Sequence, residues 1–193
     1  VKPVFSYPLS EIDTTFLSYA EKAADSISSH SDEASILKLI AVEYAKAGQT
    51  QKAVSVAGSI SDDFLKAWAL RDIVVELAED GQFDKAVNVA GSISDDDNKA
   101  WALRYIASEL AKAGQTQQAL QIFNKALNVA GSIYDNDDKA EALSEIALGL
   151  AKAGQTQQAL QIFNKALNVA GSIYYNSDKA EALKDIAVEL AKA

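Results

Sequence analysis

Leu110 to Tyr134 reads LAKAGQTQQALQIFNKALNVAGSIY, and the same 25 residues recur without a change at Leu150 to Tyr174. Identity over that length, at an offset of 40 residues, defines a unit. Self-similarity at such a period marks a stacked array, in which each unit touches only its neighbours. The fold is decided here, and the remainder of the chain is read outward from it.

Looser copies lie on both sides. The closing VAGSI occurs at Val56 to Ile60, Val89 to Ile93, Val129 to Ile133 and Val169 to Ile173, and AADSI at Ala23 to Ile27 is a variant of it. Before these endings runs a second pattern, A-x-x-L-x-x-[IV]-[AV]-x-x-[LY]-A. Ala34, Leu37, Ile40, Ala41, Tyr44 and Ala45 carry it first, and Ala67, Leu70, Ile73, Val74, Leu77 and Ala78 repeat it, with further copies from Ala100, Ala140 and Ala180. Spacings of three and four place these side chains on one helical stripe. Acids precede each copy (Asp32; Asp62 and Asp63; Asp95 to Asp97; Asp135, Asp137 and Asp138; Asp178) and read as N-caps and first-turn charges. Gly48, Gly81, Gly114 and Gly154 follow where a helix C-terminus calls for a left-handed residue. Each unit is therefore predicted to be a helix, a tight Gly turn and a second helix.

Successive Ile endings are spaced by 33, 33, 40 and 40 residues. The shorter units lack seven residues of the second helix, equivalent to QIFNKAL. Seven residues are almost two turns, so the insertion rotates the stripe by only about 20° and lengthens the helix by roughly 10 Å. The expected division is an extended arm at 1–10, a half unit at 11–28, units at about 31–60, 62–93, 95–134 and 136–174, and a half unit at 178–193. In the arm, VKPVFSYPLS, Pro3 and Pro8 oppose helix. The first helix is expected from Ser10 to about Ser28.

The long units resemble the tetratricopeptide repeat. Ala107 and Ala147 match the family's small first-helix residue, Gly114 and Gly154 its turn, Ala119 and Ala159 its second-helix alanine, Phe123 and Phe163 its aromatic, and Ala126 and Ala166 the small residue after it. Leu103 and Leu110 stand where the family has Trp and Tyr, and Gly131 or Gly171 where it closes on Pro. The resemblance covers residues 11–193 and implies an all-α, right-handed α-solenoid of about ten helices. It also implies protein binding on a concave face lined by first helices. In the family register that face carries Trp68, Trp101, Arg71, Arg104, Lys38, Lys46, Lys112 and Lys152, a set suited to an anionic or aromatic peptide. A carboxylate clamp found in some family members is not matched, since Val42, Val75, Ser108, Leu148 and Val188 occupy its Asn positions.

Chemistry is sparse. His30 is the only His and is expected in a polar surface linker, and Cys is absent, so thiol catalysis and Cys-based zinc sites are excluded. Asp135, Asn136 and Asp137 begin like a calcium loop but lack its turn Gly and distal Glu. Gly-rich phosphate loops and Ser-His-Asp sets are missing. No enzyme activity, cofactor or metal is expected. A net charge of −9 argues against nucleic acid, and no apolar run approaches the roughly 20 residues that cross a bilayer. Met and Cys, the readily oxidised side chains, are both lacking, and the chain opens on Val1; both features favour an extracellular or cell-surface location over the cytoplasm.

The framing suggests a function. A second-helix half opens the sequence and a first-helix half closes it. The expected consequence is head-to-tail self-association into a filament, with Phe5, Tyr7, Phe16, Leu17, Tyr19 and Ala20 of one copy against Leu183, Ile186, Ala187 and Leu190 of the next. The alternative is a monomeric adaptor that binds a peptide or protein through Trp68, Arg71, Trp101, Arg104 and Lys112. A third reading is a piece of a longer array.

Overall fold

The turn glycines organise the chain. Gly114 has φ +76°. Its N–H donates to Ala111 O at 3.0 Å, and Gln115 N–H donates to Leu110 O at 2.9 Å. Two otherwise orphaned carbonyls are thereby satisfied, and the chain reverses in the fewest residues a left-handed position permits. The same pair of bonds closes the turns at Gly48, Gly81 and Gly154.

A computed structural model describes residues 12–193, with side chains from residue 15 onward. The expected arm, with Phe5 and Tyr7, lies outside the described residues. Ten helices follow in order: α1 (Ile12–Ala24), α2 (His30–Lys46), α3 (Thr50–Ser59), α4 (Asp63–Glu79), α5 (Phe83–Gly91), α6 (Asp96–Lys112), α7 (Thr116–Ser132), α8 (Asn136–Lys152), α9 (Thr156–Gly171) and α10 (Asn176–Lys192). No strand occurs among the described residues, and the architecture is an all-α repeat solenoid.

Two details differ from expectation. α1 ends at Ala24 rather than Ser28, because Ser26 N–H turns back to Ala23 O and Ile27 N–H to Ala24 O, tightening the chain out of the α-helix. His30 is the first residue of α2, not part of a linker, and is exposed.

The first helices α2, α4, α6, α8 and α10 each hold 17 residues. Asp62, Asp95 and Asp135 cap α4, α6 and α8 by accepting from Leu65, Asn98 and Asp137 N–H at 2.8 Å. Ser29 caps α2 more loosely, at 3.4 Å. At α10 the cap position is Tyr175, which accepts no such bond. The second helices α3 and α5 have 10 and 9 residues, while α7 and α9 have 17 and 16. The insertion adds two turns that bury Ile122 with Phe123, and Ile162 with Phe163.

Each first helix packs on the next first helix, and each second helix wedges between the first helix of its own unit and that of the next. The array is closest-knit on the first-helix side, which makes that side concave. Buried alanines permit the approach. Ala69, Ala102, Ala142 and Ala182 share a register on α4, α6, α8 and α10 and are all buried. α1 is tied down by Tyr44 on α2, whose hydroxyl donates to Glu21 Oε1 at 2.5 Å. Burial, aided by that carboxylate, pushes the Tyr44 phenol up to about 12.

One glycine has a different task. Gly149 lies inside α8, where a Cβ would sit 2.7 Å from Phe123 Cε1 and 3.4 Å from Ser108 Oγ. The fully buried Phe123 ring occupies the space a side chain would take. Gly131, within α7, has nothing near its missing Cβ. Gly131→Ala is therefore expected to raise the thermal midpoint, because Ala is about 1 kcal/mol better than Gly inside a helix. Gly149→Ala should lower it by a net ~1 kcal/mol or more, since overpacking costs roughly 1–3 kcal/mol. Thermal unfolding followed at 222 nm checks the opposite signs.

Candidate functional site

Along the concave face, cations and aromatics share one register from helix to helix. Trp68 and Trp101 start the row on α4 and α6, and Lys38, Arg71 and Arg104 lie one turn further along α2, α4 and α6. Each cation reaches toward the following first helix. Lys38 Nζ meets Asp72 Oδ2 at 2.9 Å and lies over the Trp68 ring at 5.5 Å. Arg104 Nε sits 3.2 Å from Glu145 Oε2, although that N–H has no well-directed acceptor.

Arg71 reaches the following helix too, but finds no carboxylate, because Tyr105 occupies the facing position on α6. Its guanidinium stacks on Trp101, 3.7 Å from the ring centroid, and donates to Asn98 Oδ1 at 2.8 Å. Asn98 is almost fully buried and donates through Nδ2 to Asp95 Oδ1 at 2.6 Å. Trp101 also stacks with Tyr105 at 5.4 Å and 12° between planes, and Tyr105 Oη donates to Glu79 at 2.8 Å. Burial is the main cause that holds the Tyr105 phenol protonated well past its ordinary range, with the Glu79 bond adding to it.

Three of the five residues expected at the adaptor site, Arg71, Trp101 and Arg104, thus lie together, while Trp68 sits beside Lys38 and Phe64. Trp68 is exposed, Trp101 is half-buried, and both arginines are already engaged. Lys112 lies two turns beyond Arg104 on α6 and pairs with Glu109 at 2.6 Å. Lys46 likewise pairs with Glu43 at 2.8 Å and reaches Glu76 on α4 at 4.0 Å. Repeat stacking thus places a partner opposite Lys38, Lys46, Arg71 and Arg104 of the expected row.

Between α6 and α8 the face holds a cavity of about 180 Å³, lined by Arg71, Trp101, Arg104, Asp97, Glu141 and Glu145 and floored by Ala142 and Ile146. The acids were not singled out from the sequence. Glu141 takes the register of the two tryptophans, and Asp97 is one of the acids expected as caps and first-turn charges. Burial raises both carboxyls. For Asp97, repulsion from Asp138 and Asp95 adds to it and outweighs Arg71. For Glu141, repulsion from Glu145, Asp97, Asp185 and Asp138 adds to it. Asp137 and Asp138 are raised by burial and by their acidic neighbours. No group of side chains suited to hold a metal occurs among the described residues.

The two outer faces differ from the interior. On α8, Leu143 and Leu150 are 7% and 0% exposed, whereas their counterparts Leu183 and Leu190 on α10 are 37% and 38% exposed, and Ala187 is open beside them. Ile186 belongs to another stripe: it is fully buried within its own chain and is unavailable to a partner. At the other end Phe16 is 70% exposed where Ile122 and Ile162, its equivalents, are buried. Ile36 and Leu39 of α2 and Tyr19 of α1 are open too. Leu17 and Ala20, by contrast, pack on their own core.

Residues 98–172 match the family described as tetratricopeptide repeat. The chain is also similar to the crystal structure of Ton1535 from Thermococcus onnurineus NA1, with a TM-score of 0.58 and 28% identity, covering 80% of this chain and 46% of that one. It thus spans about half the length of that protein. No curated protein sequence matches significantly. Among the described residues no helix is long and apolar enough to cross a membrane.

The raised carboxyls fix the sign of a pH response. A folded pKa above the unfolded value means the folded chain holds extra protons between the two, so this contribution to stability is lost as pH rises through that window. The thermal midpoint is expected to climb as pH falls from 7 toward the ordinary carboxylate values of 4.5 and 3.8. Asp97→Asn with Glu141→Gln should flatten that climb. Circular dichroism melts across this range check both.

Proposed function

We propose that this tetratricopeptide-like solenoid is a protein-interaction scaffold whose repeated partner is another copy of itself, joined head to tail into a filament. The observation that carries the reading is the stripe of Leu183, Ala187 and Leu190, open on α10 while the same register is covered on α2, α4, α6 and α8. What covers it inside the array is a second helix of the kind α1 provides. What α1 and α2 lack in turn is a first helix over Phe16 and Ile36, of the kind α10 provides.

Each face has the complement of the other, so the contact is heterologous and repeats unless its rotation closes a ring. Charge agrees with this register. Lys46 reaches Glu76 on the next first helix, and continuing the array from α10 into the α2 of a second copy puts Lys192 opposite Glu43. A chain without Met or Cys suits such an assembly outside the cell.

A second reading rests on the concave cavity beside Trp101, a concave pocket with a few convergent polar groups. There the scaffold takes a segment of another protein along its first helices. The two readings use different surfaces and exclude nothing in each other.

Light scattering across a concentration series separates them. Under the filament reading, mass grows with concentration, and Leu183→Glu with Leu190→Glu reduces it to that of a single chain while the helical spectrum is kept. A chain that stays monomeric at every concentration defeats the reading.

A further inference from the structure

The geometry points to the cavity between α6 and α8 as a receptor for a cationic side chain, a lysine or arginine presented by a partner segment. This inference rests on the concave-face reading and gives its ligand a sign. The cationic register alone suggests an anionic ligand, but both guanidiniums at the cavity already face groups of their own chain. Arg71 lies flat on Trp101 and bonds Asn98, and Arg104 faces Glu145.

Two carboxylates, Asp97 and Glu141, line the same cavity and neither meets a cation nor accepts a side-chain hydrogen bond among the described residues. The lining therefore carries three acids against two bases. Its volume of about 180 Å³ suits one long side chain rather than a whole peptide, and the apolar floor suits the aliphatic stem of lysine or arginine. Repulsion from neighbouring acids, which adds to burial in raising both carboxyls, is relieved when a positive head group sits between them. Bidentate geometry favours arginine over lysine.

The test uses the full chain and the indole N–H resonances of its two tryptophans, titrated with N-acetyl-arginine amide and, separately, with N-acetyl-glutamate amide. The arginine probe is expected to shift the Trp101 signal saturably and the Trp68 signal little. Asp97→Asn with Glu141→Gln should weaken that binding by about tenfold, the scale of a charge-assisted bond, in a protein whose helical spectrum is unchanged. Glu181→Gln, which neutralises the counterpart of Glu141 on α10 outside the cavity, should leave the affinity as it was. If Glu181→Gln weakens binding as much, the attraction is the general acidity of the chain and the site is overturned. A glutamate probe that shifts Trp101 as strongly overturns the cationic assignment and leaves the concave face as a binding surface. If neither probe moves Trp101, the assignment and the concave-face reading fall together.

Discussion

A helix in this array is never covered by its own unit alone. The stripe running through Leu103, Ala107 and Leu110 is buried because α7 closes one side and the adjoining first helices close the other. Burying such a leucine is worth about 2 kcal/mol, and a lone helix pair leaves much of that gain unrealised. Nearest-neighbour cover is therefore the constraint on which the rest depends. It explains the tolerance for two unit lengths, since a seven-residue insertion keeps the stripe facing inward. It explains the alanines where first helices approach one another. It also makes the first and last helices of any such array different in kind from those between them.

Charge obeys the same nearest-neighbour logic. Lys38 to Asp72, Arg104 to Glu145 and Lys46 to Glu76 each join one first helix to the next. Exposed pairs of this sort contribute little individually, about 0–1 kcal/mol. Their effect is on the character of the groove, since they cancel cations that a list of residues would leave free. Where a step is broken, something else happens. Tyr105 replaces the expected acid, Arg71 turns onto Trp101, and Glu141 in the tryptophan register is left without a counter-ion beside Asp97.

This division explains what could be read without coordinates. Turn glycines, Asp caps, the stripe and the seven-residue insertion are local features, each fixed within about two helical turns, and the sequence patterns locate them closely. Gly149 is different. It lies where the first helices α2, α4, α6 and α10 carry Glu43, Glu76, Glu109 and Glu189, and the space a side chain would need is taken by Phe123 of the previous second helix, a contact no local pattern displays. Spacing alone groups Ile186 with the open stripe, because three- and four-residue intervals do not tell the side facing the preceding unit from the side facing the following one. The engagement of Arg71 and Arg104 depends on residues 27 and 41 positions away (Asn98 and Glu145), beyond any local pattern. Fold is written in short-range periodicity here, while the groove is written in the register between units.

The same register has a consequence for the end-to-end contact. Inside the array the cation one turn into each first helix faces a residue on the next helix: Asp72, Tyr105 or Glu145. Carried across a junction, Lys184 of α10 faces Leu39 of the next α2, and no ion pair forms at that step. Only the pairing of Lys192 with Glu43 continues. The junction would therefore be held by Phe16, Ile36, Leu183 and Leu190, with charge in a minor part. Apolar burial is not screened by salt as exposed ion pairs are, and excluded salts such as sulfate strengthen it. A scaffold joined in this way keeps its ends together at ionic strengths that would loosen a charge-driven assembly. The acidic cavity at Asp97 and Glu141 lies on α6 and α8 and shares no lining residue with those end faces.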